Sequence, residues 1–323
     1  MAVGSTVIDV SQANNTSVPI HTKCWEREGL AVEIQPTNTN AAVQALLTGR
    51  VEFVLSGPAA AIIARSKGGP IKAVYMNMRK NFVFLVVPEA SPIKDLKDFK
   101  GKTVGVFSYG AQQYRVFKGM MTEVGLDPEK DVSWIETGAG AQAVAALRAG
   151  RVEAWGTWDS QLATAENMGL KFRRFTSEAA EKLNWGSSIF TRDDYAAANP
   201  EVVGKFLRCV AEGTAFTIAN PEAAVKAHWT VFPATKPSNL SDAEALRQAL
   251  HIVETRIEFL KVEPGAKWGE MPPSSAAETI NFMKSTGELK DDVKPSDMFT
   301  NAFVPAINAF DQAEVEKTAR ASQ

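Results

Sequence analysis

The sequence predicts an α/β protein of two lobes, each a mainly parallel sheet flanked by helices, with a helical C-terminal third packed on the first lobe. Three observations carry this. Apolar strand-sized runs alternate with helix-period runs through residues 1–187, joined by loops of a few residues, which is the pattern of right-handed βαβ units. The fragment ALLTGRVEF (Ala45–Phe53) returns as ALRAGRVEA (Ala146–Ala154), and the strand–helix order around both copies agrees. Beyond residue 190 the pattern becomes helical.

In order, STVIDVSQA predicts a strand running into a polar loop, VPIHTKCWEREG a helix, and LAVEIQP a second strand ended by Pro36. NAAVQALLTG is a helix with Asn38 or Asn40 at its start, an apolar face of Ala42, Val43, Leu46 and Leu47, and Gly49 just past its end. RVEFVLS, GPAAAIIARSKG and IKAVYM follow as strand, helix and strand. The grammar restarts after PEASPIKDLKDFKG with KTVGVFS, YGAQQYRVFKGMMTEVG, DVSWIET, AGAQAVAALRAG, RVEAWGT, WDSQLATAENMG and LKFRRF, again strand and helix by turns. Asn199-Pro200, Asn220-Pro221 and Ser241-Asp242 each read as a helix cap, the first two with proline in the first turn.

Composition narrows the function classes. The chain has 323 residues, 45% of them hydrophobic, and its formal charge is −2 with no basic tract, so a nucleic-acid footprint is missing. Two cysteines (Cys24, Cys209) make neither a disulfide framework nor a zinc site, and the three histidines (His21, His228, His251) are scattered. No apolar run reaches the ~18 residues of a membrane span. MAVGSTVIDV shows no basic n-region and no h-region, which admits a cytosolic protein or the mature part of an exported one.

The segments GLAVEIQPTNTNAAVQALLTGRVEFVLSGPAAAIIARSKGGPIKAV, SPIKDLKDFKGKTVGVFSYGAQQY and GLDPEKDVSWIETGAGAQAVAALRAGRVEAWGTWDSQ, with the NPEVVGKFL helix start, come in an order that resembles the periplasmic substrate-binding proteins of ABC importers for sulfonates, taurine, nitrate and thiamine precursors. That resemblance implies a type II-like periplasmic-binding-protein fold with ligand between the lobes. It puts lobe one at residues 1–86 and 188–323, lobe two at 87–187, and the crossovers near Val86–Pro88 and Gly186–Ile189. It also implies export, a membrane permease as partner, a monomer, no cofactor and no catalysis.

Ligands of open parallel sheets sit beyond the carboxyl ends of the strands. The loops there offer Gln12 and Asn14 in SQANN, Ser56 and Gly57 in SGP, Asn77 after IKAVYM, Ser108, Tyr109 and Gly110 in SYGAQ, and Gly138 in TGAG. Helix starts after SGP, SYGAQ and TGAG present free backbone N–H groups and favour an anion without a lysine or arginine. Trp158, Trp185 and Tyr109 add aromatic surface for an organic body, and Asp159 would either accept from a ligand ammonium or cap its helix. The expected ligand is a small organic anion, sulfonate ahead of carboxylate; an aromatic carboxylate or thiamine-type pyrimidine is the alternative. Enzymes share this fold, and His21 with Cys24 on one helix face gives a desulfinase-like nucleophile as a further alternative. A sensory module ranks last, since no helix-turn-helix candidate accompanies the lobes.

Overall fold

The computed structural model describes residues 1–322. Its ten strands are β1 (Ala2–Val3), β2 (Gln35–Pro36), β3 (Val54–Ser56), β4 (Ile71–Met78), β5 (Val83–Pro88), β6 (Lys102–Val106), β7 (Val132–Glu136), β8 (Ala154–Trp158), β9 (Phe172–Phe175) and β10 (Ser187–Arg192). They form two five-stranded sheets, ordered β2-β1-β3-β10-β4 and β7-β6-β8-β5-β9. In the first, β10 alone runs against its neighbours, pairing Ile189 with Leu55 and with Tyr75. In the second, β5 is the reversed strand, pairing Leu85 with Gly156 and with Phe175. Each sheet thus has one strand of opposite sense, the one that enters directly from the other sheet.

The repeated fragment occupies equivalent places. Helix Thr39–Leu47 ends before Gly49, whose φ of 72° only glycine adopts without strain, and leads to β3. Helix Ala141–Arg148 ends before Gly150 at φ 66° and leads to β8. β3 and β8 are the central strands of their sheets, each beside the reversed strand.

Three expectations are corrected. The first strand lies at Ala2–Val3, not in STVIDVSQA; Asp9 accepts from the Ser11 backbone N–H at 2.9 Å and caps a 3-10 helix over Val10–Asn15. The chain crosses between sheets after Met78 and before Val83, and again after Phe175 and before Ser187, so Val86–Pro88 is strand and Ser187–Ile189 is the start of β10. The C-terminal helices do not all pack on the first sheet's side. Helix Pro200–Ala219 does, against the 3-10 turn and helix Gln312–Ala321; Asp242–Leu260 bridges the two sides, packing on helix Pro221–Val231 and the 3-10 turn as well as on helix Asp159–Asn167, and Pro273–Ser285 touches helix Gln112–Glu123 of the second. Gly119 permits the latter approach, since a Cβ there would stand 2.7 Å from Thr286 Cγ2.

The cysteines form one disulfide, Cys24–Cys209, which ties the N-terminal segment to the long helix Pro200–Ala219. Beside it Trp25 stacks on Phe206 at 5.4 Å and Phe206 on Phe53 at 4.0 Å, a dry aromatic layer under the first sheet.

Candidate functional site

Between the sheets lies a cavity of about 90 Å³ bordered by strand ends and helix starts of both. Gln12, Ser56, Gly57, Asn77 and Trp158 line it, together with Thr39, Phe82, Phe107, Ala111, Gln112, Gln113, Ser187 and Arg256. Three helices begin on its wall: Pro58–Ser66 after Gly57, Gln112–Glu123 after Ala111, and Asp159–Asn167 after Trp158. None of the three has a side-chain cap; the Asp159 N–H donates to the Phe82 carbonyl at 3.0 Å and Pro58 has no N–H, so the donors left for a ligand are the remaining ones of each first turn. One comes from the first sheet and two from the second, so both walls contribute.

The polar wall has spare capacity. Gln12 Oε1, Asn77 Oδ1, Gln112 Oε1 and Gln113 Nε2 are buried and lack hydrogen-bond partners among the described residues. Partnerless buried polar groups cost free energy, so a ligand that meets them gains that back on binding. Asn77 Nδ2 is fixed by donating to Ser187 Oγ at 3.2 Å, and Gln112 Nε2 by donating to the Trp185 carbonyl at 3.4 Å.

Arg256 is the charged group on the wall. Its Nε and Nη2 donate to the two oxygens of Asp159 at 2.5 and 2.7 Å, and both residues are buried. Burial pushes the Asp159 carboxyl up, and Arg256 opposes that. Nη1 has no hydrogen-bond partner among the described residues, which leaves one edge of the guanidinium for a ligand. Asp159 itself therefore faces an arginine of the protein.

The remaining candidates lie elsewhere. Asn14 is buried and donates to Thr214 Oγ1 at 3.1 Å. Ser108 accepts at its carbonyl from Ala111 N at 3.1 Å; this turn delays the helix to Gln112 and sets Ser108 off the wall. Tyr109 is 45% exposed, and its hydroxyl donates to the Trp134 carbonyl at 3.0 Å. Gly138 sits in the turn before helix Ala141–Arg148, where Gly140 N donates to Gln161 Oε1 at 2.5 Å. Trp185 is fully buried with its Nε1 on Ser188 Oγ at 2.7 Å, and packs in the core.

Gly57 and Gly110 stand at close approaches between the two halves. A Cβ on Gly57 would lie 3.0 Å from Gln112 Cβ, and one on Gly110 would lie 2.5 Å from Asn40 Cγ. Cys24 has no free thiol, because it is bonded to Cys209; the nucleophile pairing with His21 is thereby removed.

Sequence reading passed over Arg256. Its signal is a cation on an apolar stripe, Ala249, Val253, Ile257 and Leu260, of helix Asp242–Leu260.

Comparison with known proteins agrees with this architecture. The NMT1/THI5-like family matches residues 24–224, more than half of the chain. The riboflavin-binding protein RibY of Chloroflexus aurantiacus is 26% identical over 288 residues, 87% of this chain and 79% of that protein. A 4-amino-5-hydroxymethyl-2-methylpyrimidine phosphate synthase of Schizosaccharomyces pombe is 24% identical over 61% of this chain and 59% of its own length. Among solved structures, the alkanesulfonate-binding protein SsuA of Xanthomonas axonopodis pv. citri, bound to MOPS, superposes with a TM-score of 0.68 at 18% identity, over 93% of this chain and 97% of that one. The chain belongs to the NMT1/THI5-like family and has the two-lobed fold of the periplasmic substrate-binding proteins.

Proposed function

We propose that this protein is the extracytoplasmic binding component of an ABC importer, and that it captures a small organic anion, sulfonate or carboxylate, between its lobes. The observation that carries the reading is the meeting of three uncapped helix N-termini, from both sheets, on one cavity that also holds the free edge of Arg256. Such N-termini complement negative charge by aligned peptide dipoles and unsatisfied donors. Phe82, Phe107 and Trp158 supply surface for the organic body, with Phe107 and Trp158 edge to face at 5.5 Å.

Size bears on the choice of ligand. A dry cavity of about 150 Å³ holds a benzene ring. At about 90 Å³ the present cavity is smaller, so a short carboxylate fits it most readily, and an amino- or hydroxyalkyl sulfonate, with seven heavy atoms to benzene's six, needs the lobes to part slightly. A tricyclic flavin needs the lobes to part further. The unpartnered carboxamide oxygens of Gln12, Asn77 and Gln112 favour a ligand that carries a hydrogen-bond donor as well as its anionic group.

Binding to one lobe and then contacting the other gives the closed arrangement its extra affinity, and a permease would recognise that arrangement. Export is supported by the Cys24–Cys209 bridge, since disulfides persist in oxidising compartments. A thermal-shift screen over taurine, short alkyl sulfonates, carboxylates, a hydroxymethylpyrimidine and riboflavin tests the reading. Stabilisation by a sulfonate or carboxylate is expected; stabilisation by the neutral heterocycles alone overturns the anion assignment.

A further inference from the structure

A second cavity, of about 420 Å³, opens where the chain crosses between the sheets. Both crossovers contribute to it: Arg79 and Lys80 from the first, Glu181 and Asn184 from the second. Phe84, Phe175 and Met120 form an apolar floor, and Arg174 lies over the Phe84 ring at 4.8 Å. Three cations therefore line a cavity whose own carboxylate is Glu181 alone. Arg174 reaches Glu166 at 3.4 Å outside it, whereas Arg79 and Lys80 have no ion-pair partner among the described residues.

Arg79 is held rather than free. Its Nη2 donates to the carbonyls of Lys267 at 2.8 Å and Glu270 at 2.7 Å, which fixes the guanidinium plane. Its Nε–H is buried with no partner, as is the Asn184 side-chain oxygen. Burial pushes the Arg79 pKa down, against the pull of Glu270, Tyr75 and Glu263. A planar, pre-oriented guanidinium with an unused donor is suited to an oxyanion, and an aromatic floor beneath adjacent cations is suited to a ring.

We propose that this hinge cavity is a second ligand site, distinct from the inter-lobe cleft, for an oxyanion carrying an aromatic body, held by Arg79, Lys80 and Arg174 over Phe84 and Phe175. Because its walls come from both crossovers, occupation changes the free energy of moving one sheet against the other and so alters cleft affinity.

The test is calorimetric titration of the full chain with phenyl phosphate and with inorganic phosphate. Phenyl phosphate should bind saturably, tighter than about 1 mM, and several times more tightly than inorganic phosphate. Lys80→Glu, an exposed change that leaves packing intact, should weaken it by at least about tenfold, roughly 1.4 kcal/mol; Arg174→Glu should do the same. Asn77→Leu, in the cleft, should leave it unchanged. No saturable binding, equal affinity for the two probes, indifference to Lys80→Glu, or loss in Asn77→Leu each overturns the proposal. The last would place the probe in the cleft.

Discussion

Replacing Arg256 with methionine separates the structural part of the cleft from its ligand-binding part. Arg256 is 5% exposed and Asp159 is fully buried, so removing the cation strands a carboxylate with no water to solvate it. Breaking a buried pair in this way costs about 3–5 kcal/mol. Part of that is relieved when Asp159 takes a proton, since burial already pushes its carboxyl up. A net loss of about 3 kcal/mol is therefore expected. In a chain of 323 residues, whose unfolding entropy makes 1 kcal/mol worth about 1.5 °C, the melting temperature falls by roughly 4–5 °C. Arg256→Met combined with Asp159→Leu removes both charges at similar volume and should restore about 2 kcal/mol of the loss, because the desolvation penalty disappears with the pair. Ligand affinity should stay low in both variants, since neither offers a guanidinium edge. Urea unfolding followed by circular dichroism gives the stabilities, and calorimetry the affinities. A single variant that loses under about 1 kcal/mol, or a double variant no more stable than the single, refutes this account of the pair.

Three further outcomes follow from the same structure. Gly57→Ala and Gly110→Ala place a Cβ against Gln112 and Asn40; each should hold the lobes apart, weaken ligand binding by about tenfold (about 1.4 kcal/mol) and enlarge the ligand-bound radius of gyration in X-ray scattering, and an unchanged radius counts against the closure role. The disulfide spans a sequence separation of 185, for which the chain-entropy relation gives about 5 kcal/mol as an upper figure; Cys24→Ala with Cys209→Ala should lower the urea midpoint accordingly, and titratable thiol in the unreduced native protein would contradict the bridge. His228 is buried beside Ser17 and its pKa is pushed down from 6.5 to about 4 by desolvation. The unfolded chain thus takes up the proton first, so stability is full above pH 6.5 and falls as pH drops towards 4, by about 3 kcal/mol in all. His228→Gln should flatten that part of the pH–stability profile, and an unchanged slope would show that another group carries it.

What could be read from the sequence had local causes, and what could not had distant ones. Strand–helix alternation and the glycine stops at Gly49 and Gly150 are properties of short windows, so the two sheets and their repeat were legible. STVIDV misled because its β-branched residues suit a strand, while the Asp9–Ser11 cap and burial of the next turn make that segment 3-10. LAVEIQP alternates as a strand should, yet only Gln35–Pro36 finds a partner in β1. Among the loop candidates, Ser56, Asn77 and Trp158 stand at the last or next-to-last position of β3, β4 and β8, Gly57 follows β3 directly, and Gln12 reaches the cavity from the 3-10 turn. Asp159 could not be placed, since the partner that claims it is Arg256, 97 residues further on. The shift of one helix start from Tyr109 to Gln112 depended on a single turn hydrogen bond at Ser108.

The bridge between Cys24 and Cys209 has a topological consequence. Every strand of the second sheet lies between the two bonded cysteines in sequence, while the bond itself joins two pieces of the first sheet's side. A cut in either crossover alone leaves one covalent molecule. Cuts in both release a segment of about one hundred residues, and the remainder is still stitched together. One wall of the cleft is therefore a cassette inserted into a frame whose covalent continuity does not depend on it. Exchanging that wall between relatives would change what the cleft recognises while leaving the covalent frame of the opposite wall in place.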